Sequence, residues 1–393
     1  MSASIFESTH GFPRASVSLA NWRSAPWNVW AFRHVPELIP TARIASASTA
    51  PEGALADPSP LLRETLLFGD RRLGVAEVLR ETFTDALVVM KSGRFVADFH
   101  APHFTSKSRH ILFSASKSVA GLLAGILVGE GRLDPARPVT DYVPELAASA
   151  FGDASVRHVL DMQTCLSFTE DYSDPNGSFA RYRRAGMLDP PLAGEPPETV
   201  IGFLASLRKG EGEHGERFTY SSPNSDVLGL IVERASGQRY PDLLTEKLWE
   251  PLQARTDAAI TVDAEGTARA GGGLSMSPRD LARIGEMVRC GGSVDGRRIV
   301  PEHWIRDTAC GGDGALQGGT FASVLPDGRY RNQWYQVGDG TGSLFAVGIH
   351  GQWLYVNPAA EIVIAKFSSQ PDASDDPVRR LNVALFRAIP ALM

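Results

Sequence analysis

Cysteine is scarce in this chain. Three thiols, Cys165, Cys290 and Cys310, are spread widely among 393 residues. No C-x-x-C pair and no Cys/His metal spacing accompanies them, which excludes a disulfide framework and a zinc ribbon. They read as reduced thiols without a chemical task. Long apolar runs are missing as well. "VAGLLAGILVGEG" is too short to span a membrane and is broken by glycines. The N-terminus, "MSASIFESTHGFPRASVS", has neither the basic start nor the apolar stretch of a secretory signal. A basic excess is also absent: 39 Lys and Arg against 45 Asp and Glu leave a net charge of −6. That balance excludes the basic face that nucleic-acid binding calls for. Internal repeats and low-complexity segments are not found.

What is there is the profile of a folded globular chain, with 43% hydrophobic and 21% charged residues. The length suits one large domain or two interlocked ones. These features predict a cytoplasmic enzyme or binding protein with no membrane contact, and they leave monomer and homodimer both open.

Residues 1 to about 60 read as a loop-rich wrap with aromatic punctuation in "NWRSAPWNVWAF". "DALVVMKSGRFVADFH" (85–100) predicts a hairpin around a Lys-Ser-Gly turn. A helix is expected from Ser114 to Glu130, stopped by Gly131. Further helices are expected in "PPETVIGFLASLRKG", stopped by Gly210, in "SPNSDVLGLIVERASG" (222–237) and in "YPDLLTEKLWEPL". After Gly271 the texture changes. A Ser/Pro-capped amphipathic helix follows "GGGLSM". "SLFAVGIHGQWLYVNP" and "EIVIAKFSS" read as two or three strands, and "DPVRRLNVALFRAIPAL" closes the chain as a helix. Strands near both ends with helices between them predict an α/β domain from residues 1–120 and 271–393 and a mainly helical domain from 121–270. A site is expected in the cleft between them.

Three short motifs could carry chemistry. In "FSASKSVAGLL" Ser114 and Lys117 are i and i+3, so on a helix they share a face. A serine hydroxyl needs a base to become a nucleophile, and a lysine kept neutral by apolar burial can be that base. Free N–H groups at the helix start could bind the charge that develops on an attacked carbonyl. The bland alternative is a Ser114 N-cap and a solvated Lys117. Ser116 and Ser118 lack the spacing. In "FTYSSPNSD" (218–226) Tyr220 could exchange a proton if the charge of a nearby lysine lowers its pKa; otherwise it is a half-buried core tyrosine. In "FAVGIHGQWLYVNP" (345–358) Gly348 and Ile349 offer bare backbone to a substrate. His350 is either a site residue or a turn residue. No G-x-S-x-G elbow exists for a Ser/His/Asp triad.

Taken in order, S-A-S-K, Y-S-S and the glycine-marked strand resemble the serine β-lactamase and penicillin-recognising family. "GGLSMSPRDLARIGEM" (272–287) strengthens the likeness. Within the family it is similar to the class C type and its esterase relatives, and most of all to the branch that hydrolyses 6-aminohexanoate oligomers. "WAFRHVPELIP", "PVTDYVPELA", "VLDMQ", "EDYSDP" and "GIHGQ" carry that branch likeness, and Asp161-Met162-Gln163 follows it. The resemblance implies an antiparallel sheet flanked by helices plus a mainly helical domain. It implies Ser114 as acyl-enzyme nucleophile, Lys117 as its activator and Tyr220 as general acid and base. It implies the Ser114 and Ile349 N–H groups as oxyanion hole, with Tyr172, Glu170, Gly348 and His350 near substrate. No metal and no cofactor is implied. The K-T-G strand of β-lactamases is replaced by Ala346-Val347-Gly348, which removes a cation for a β-lactam carboxylate. The position of a substrate-contacting Asn or His is Gly271. The loop 176–187 diverges, and its arginines favour an anionic group. These departures favour ester or linear-amide hydrolysis over β-lactam or D-amino-acid peptide hydrolysis, with a retired binding scaffold as the non-enzyme alternative.

Overall fold

A computed structural model describes residues 4–194, 196–312, 314–316 and 321–393. The expected hairpin forms from strands Thr84–Lys91 and Arg94–His100, with Ser92 and Gly93 at positive φ in its turn. It completes a seven-stranded antiparallel sheet whose other strands all come from the C-terminal part of the chain. Across the sheet the order is Arg329–Arg331, Trp334–Gln336, Leu344–Gly348, Gln352–Asn357, Ile362–Ser368, Thr84–Lys91 and Arg94–His100. Ile364 lies opposite Val89 and Ala365 opposite Val88, which joins the two ends of the chain.

Alternation along these strands sends side chains to two separate cores. Val88, Met90, Leu354, Val356 and Val363 face the helix Pro278–Arg289 through Leu281, Ile284 and Met287. Leu87, Val89, Phe345, Trp353 and Ile364 face Leu381, Leu385, Phe386 and Ile389 of the closing helix Asp376–Leu392. Helix–sheet–helix layering buries both faces of the sheet.

The helix Ser116–Gly129 is buried around nearly its whole circumference and packs on the helix Ser222–Ser236. An all-round apolar helix belongs at the centre of a large core. The boundary expected at residue 120 falls within it, and its residues share one apolar core with both the sheet and the surrounding helices.

One expectation needs correction, and one element was not foreseen. The helix after Pro197 runs only from Val200 to Ser206, and Leu207 is already extended, so Gly210 does not stop it. A small second sheet was not anticipated. It orders Thr41–Ile44, Ala258–Thr261, Leu274–Met276 and His110–Ile111. Strands of two to four residues bounded by loops carry too little alternation to be read in sequence. This sheet brings the approach to Ser114 beside the approach from Gly271. The N-terminal wrap packs Trp22, Trp30, Phe32 and Val35 against Ile111 and Phe113.

Candidate active site

Ser114 does not cap a helix. The chain leaves strand His110–Ile111 with the Leu112 N–H donating to Leu274 O at 2.8 Å. Phe113 then adopts φ 45°, in the left-handed region. Such a turn costs a non-glycine residue roughly 1–2 kcal/mol. Aromatic packing holds it: the Phe113 ring lies 5.0 Å from Phe32, 5.4 Å from His350 and 5.9 Å from Trp22. Ser114 follows in a 3-10 turn, Phe113–Ala115, and the α-helix begins at Ser116. Ser116 Oγ accepts from the Leu274 N–H, and Ser118 Oγ donates to Gln333 O. Both serines are structural.

Lys117 is not solvated. It is 1% exposed, with Nζ 2.8 Å from Ser114 Oγ and 2.5 Å from Gly271 O. Burial lowers its pKa to about 8; the Glu170 and Asp226 carboxylates oppose that shift, and Arg269 adds to it. An amine whose N–H is held by a carbonyl can keep its lone pair on the serine hydroxyl.

Gly271 is held in turn. Its N–H donates to Asp226 Oδ1 at 2.7 Å, while Asp226 Oδ2 accepts from Tyr182 OH at 2.6 Å and from Arg269 Nε at 2.8 Å. Both members of the Asp226–Arg269 pair are buried. The motif reading missed Asp226, Arg269 and Tyr182. Asp226 lies in the quoted "FTYSSPNSD", where a charged residue inside an apolar helix is itself a signal of a buried partner.

Gly348 borders the larger cavity beside Ser114 and Ile349. Its missing side chain also makes room for the main chain: a Cβ there would stand 2.1 Å from Leu112 O. Glycine lets strand Leu344–Gly348 press against the chain just before Ser114. Ile349 follows, then His350 at φ 58°. Among the described residues the N–H groups of Ser114 and Ile349 have no hydrogen-bond partner. His350 is buried, bonded through Nδ1 to Gln370 O, and burial lowers its pKa to about 4. It is therefore neutral near pH 7 and fixes the loop.

Tyr220 is half-buried. Its ring stacks on Tyr335, and Lys117 Nζ lies 5.4 Å from the ring centroid. Its pKa is raised, first by burial and then by Tyr335 and Glu170. The expected lowering by lysine charge is not found, and the phenol is a proton donor at rest. Glu170 accepts from Tyr172 OH at 2.6 Å, from Ser222 Oγ at 2.9 Å and from the Ser222 N–H at 2.8 Å. Its carboxylate pins the loop of Tyr172 to a helix start.

Ser114, Glu170, Tyr172 and Ile349 border two cavities. One, of about 400 Å³, is walled by Phe168, Phe218, Tyr220, Tyr335 and Trp353. The other, of about 260 Å³, is walled by Arg23, Tyr182, Arg183, Ser222, Gly271 and His350. The candidate nucleophile thus sits between an aromatic and a cationic chamber.

Comparison with known proteins decides the family. The β-lactamase family profile matches residues 70–388. The chain belongs to the β-lactamase family. This β-lactamase-family serine hydrolase is 41% identical over 356 residues to the 6-aminohexanoate-dimer hydrolase of Paenarthrobacter ureafaciens, covering 90% of this chain and 88% of the relative. The fold is shared with a Bacillus anthracis protein proposed to be a 6-aminohexanoate-dimer hydrolase. That match has a TM-score of 0.86 and 23% identity over 96% of this chain and 97% of the other. A family VIII carboxylesterase matches with a TM-score of 0.57 and 17% identity, over 79% of this chain and 96% of the other. No described helix is long and apolar enough to cross a membrane.

Proposed function

We propose that the chain hydrolyses carboxylic esters, and linear amides such as 6-aminohexanoate oligomers, through an acyl-enzyme on Ser114. The observation that carries this is the 2.8 Å approach of Lys117 Nζ, a buried lysine of lowered pKa, to Ser114 Oγ. Neutral Lys117 takes the hydroxyl proton as Oγ bonds to the carbonyl carbon. The carbonyl oxygen becomes an oxyanion between the Ser114 and Ile349 N–H groups. The Tyr220 phenol protonates the leaving oxygen or nitrogen as its bond to carbon breaks, and the Lys117 ammonium restores the phenol proton. In the second half, water attacks the acyl carbon. Its proton passes through the same pair to Ser114 Oγ, and the acid departs.

Strand Leu344–Gly348 carries Ala346 and Val347 and no lysine facing the cleft, which supports esters and linear amides over β-lactams. Glu170, Tyr172, Gly348 and His350 act here as positioning residues around the substrate. All three cysteines are free thiols, which supports a cytoplasmic location. The test is turnover of a p-nitrophenyl ester by wild type and Ser114→Ala. Loss of turnover by on the order of 10³-fold or more is expected; an unchanged kcat in the variant would refute the assignment.

A further inference from the structure

The smaller cavity is charged in a way the hydrolytic machinery does not use. Arg23 and Arg183 both bind the single carboxylate of Asp189, Arg183 through Nε at 2.7 Å. Two guanidinium groups on one carboxylate leave a positive charge uncompensated. Arg183 spends only its Nε on that bond. Among the described residues its two terminal nitrogens have no hydrogen-bond partner. Its side chain is 14% exposed, so a ligand would meet it largely out of water, where charges interact more strongly.

Both guanidinium groups are braced. Arg23 donates to Leu188 O at 2.9 Å and lies over the Trp22 ring, and Arg183 lies over the Phe179 ring. Arg269 is paired with Asp226. Glu170 keeps its negative charge, but its oxygens already accept from the neutral donors Tyr172 and Ser222. His350 is neutral. The feature that invites an anion is therefore local: Arg183 and Arg23 share one carboxylate at one end of the chamber, and Arg183 keeps unspent donors there.

A substrate that acylates Ser114 has one arm on each side of its carbonyl, and two chambers meet there. We infer that the substrates are esters or amides with a carboxylate on the arm that enters the smaller cavity, held by Arg183 and Arg23, and an apolar or aromatic arm in the larger one. Arginine suits this task because its planar fork matches a carboxylate. The inference rests on the acyl-enzyme reading above and names its substrate class.

The test compares p-nitrophenyl and alkyl esters that end in a carboxylate with methyl-terminated esters of equal length. The carboxylate is placed on the acyl chain in one series and on the alkoxy chain in the other. In one of the two series wild type should favour the carboxylated ester by about tenfold or more in kcat/KM, mainly through KM. Arg183→Gln should bring that ratio close to one, and Arg183→Glu should invert it toward ammonium-terminated esters. Calorimetric titration of Ser114→Ala with the uncleaved esters gives an answer independent of turnover: the carboxylated ester should bind more tightly. Hydrolysis of neutral esters through Ser114, with no advantage for a carboxylate in either series or in the titration, would overturn the inference and leave the hydrolase reading intact. Tighter binding of carboxylated esters without any turnover would uphold the carboxylate site at Arg183 and Arg23 and sink the hydrolase reading.

Discussion

Among the described residues, two buried lysines each lie within hydrogen-bond distance of a serine hydroxyl. Ser114 and Lys117 face the cleft, with Nζ and Oγ 2.8 Å apart. Ser368 and Lys366 lie on one strand of the large sheet, with Nζ and Oγ 2.5 Å apart. Burial lowers both lysines, to about 8 and about 7. By pKa and distance the inner pair would make the better nucleophile. It lacks everything else. Lys366 and Ser368 are 0% exposed, and the Ser368 N–H is spent on Gln352 Oε1. Around Ser114 two cavities open and two N–H groups stand free. A depressed lysine beside a serine is thus common to both regions. Access and spare donors, built by the left-handed turns at Phe113 and His350, separate them.

The sharpest way to break this contrast is to exchange the roles. Ser114→Ala should lose on the order of 10³-fold or more in ester turnover, whereas Ser368→Ala should keep its kcat. Tyr220→Phe removes the phenol proton and should cost about 10²-fold in kcat in the same assay. Asp226→Asn should destabilise the fold by about 3–5 kcal/mol in urea titration, because Arg269 is left charged and buried. It also removes a carboxylate that raises the Lys117 pKa, so the ascending limb of the pH profile should move to lower pH.

In wild type that limb should be centred near pH 8, since activity needs neutral Lys117. Turnover at pH 7 should be about a tenth of the plateau. A profile flat from pH 6 to 10 would contradict the base assignment. The smallest effect concerns the inner pair. Lys366 titrates near 7 when folded, against an ordinary 10.5. Between those values the unfolded chain binds more protons, so this residue makes stability rise with pH across the window. Lys366→Met should remove that contribution, read as a flatter dependence of Tm on pH from 7 to 10.5.

Much of the site was legible because the chemistry requires rare side chains at fixed spacing. Ser114 to Lys117 is local, and the order of Tyr220 and Gly348-Ile349 added enough to separate it from an ordinary helix start. The sheet was legible in the apolar, β-branched runs of "ALVVMK" and "EIVIAKF". What supports the site was not. The Asp226–Arg269 pair joins residues far apart in sequence, and its consequence, a carbonyl held against Lys117, leaves no spacing to read. Gly348 was singled out for its bare backbone, but its contact with the Leu112 carbonyl was not legible, because that carbonyl comes from a distant part of the chain. Trp22 and Phe32, which brace Phe113, read only as punctuation in a loop-rich lead-in.

The most direct measurement is covalent capture. A fluorophosphonate reacts with an activated serine that has both a base and access. Peptide mapping by mass spectrometry after labelling should find one adduct, on Ser114, absent after Lys117→Ala and absent from Ser368 throughout. An adduct on another residue in protein that turns over esters, or undiminished labelling of Ser114→Ala, would contradict the account.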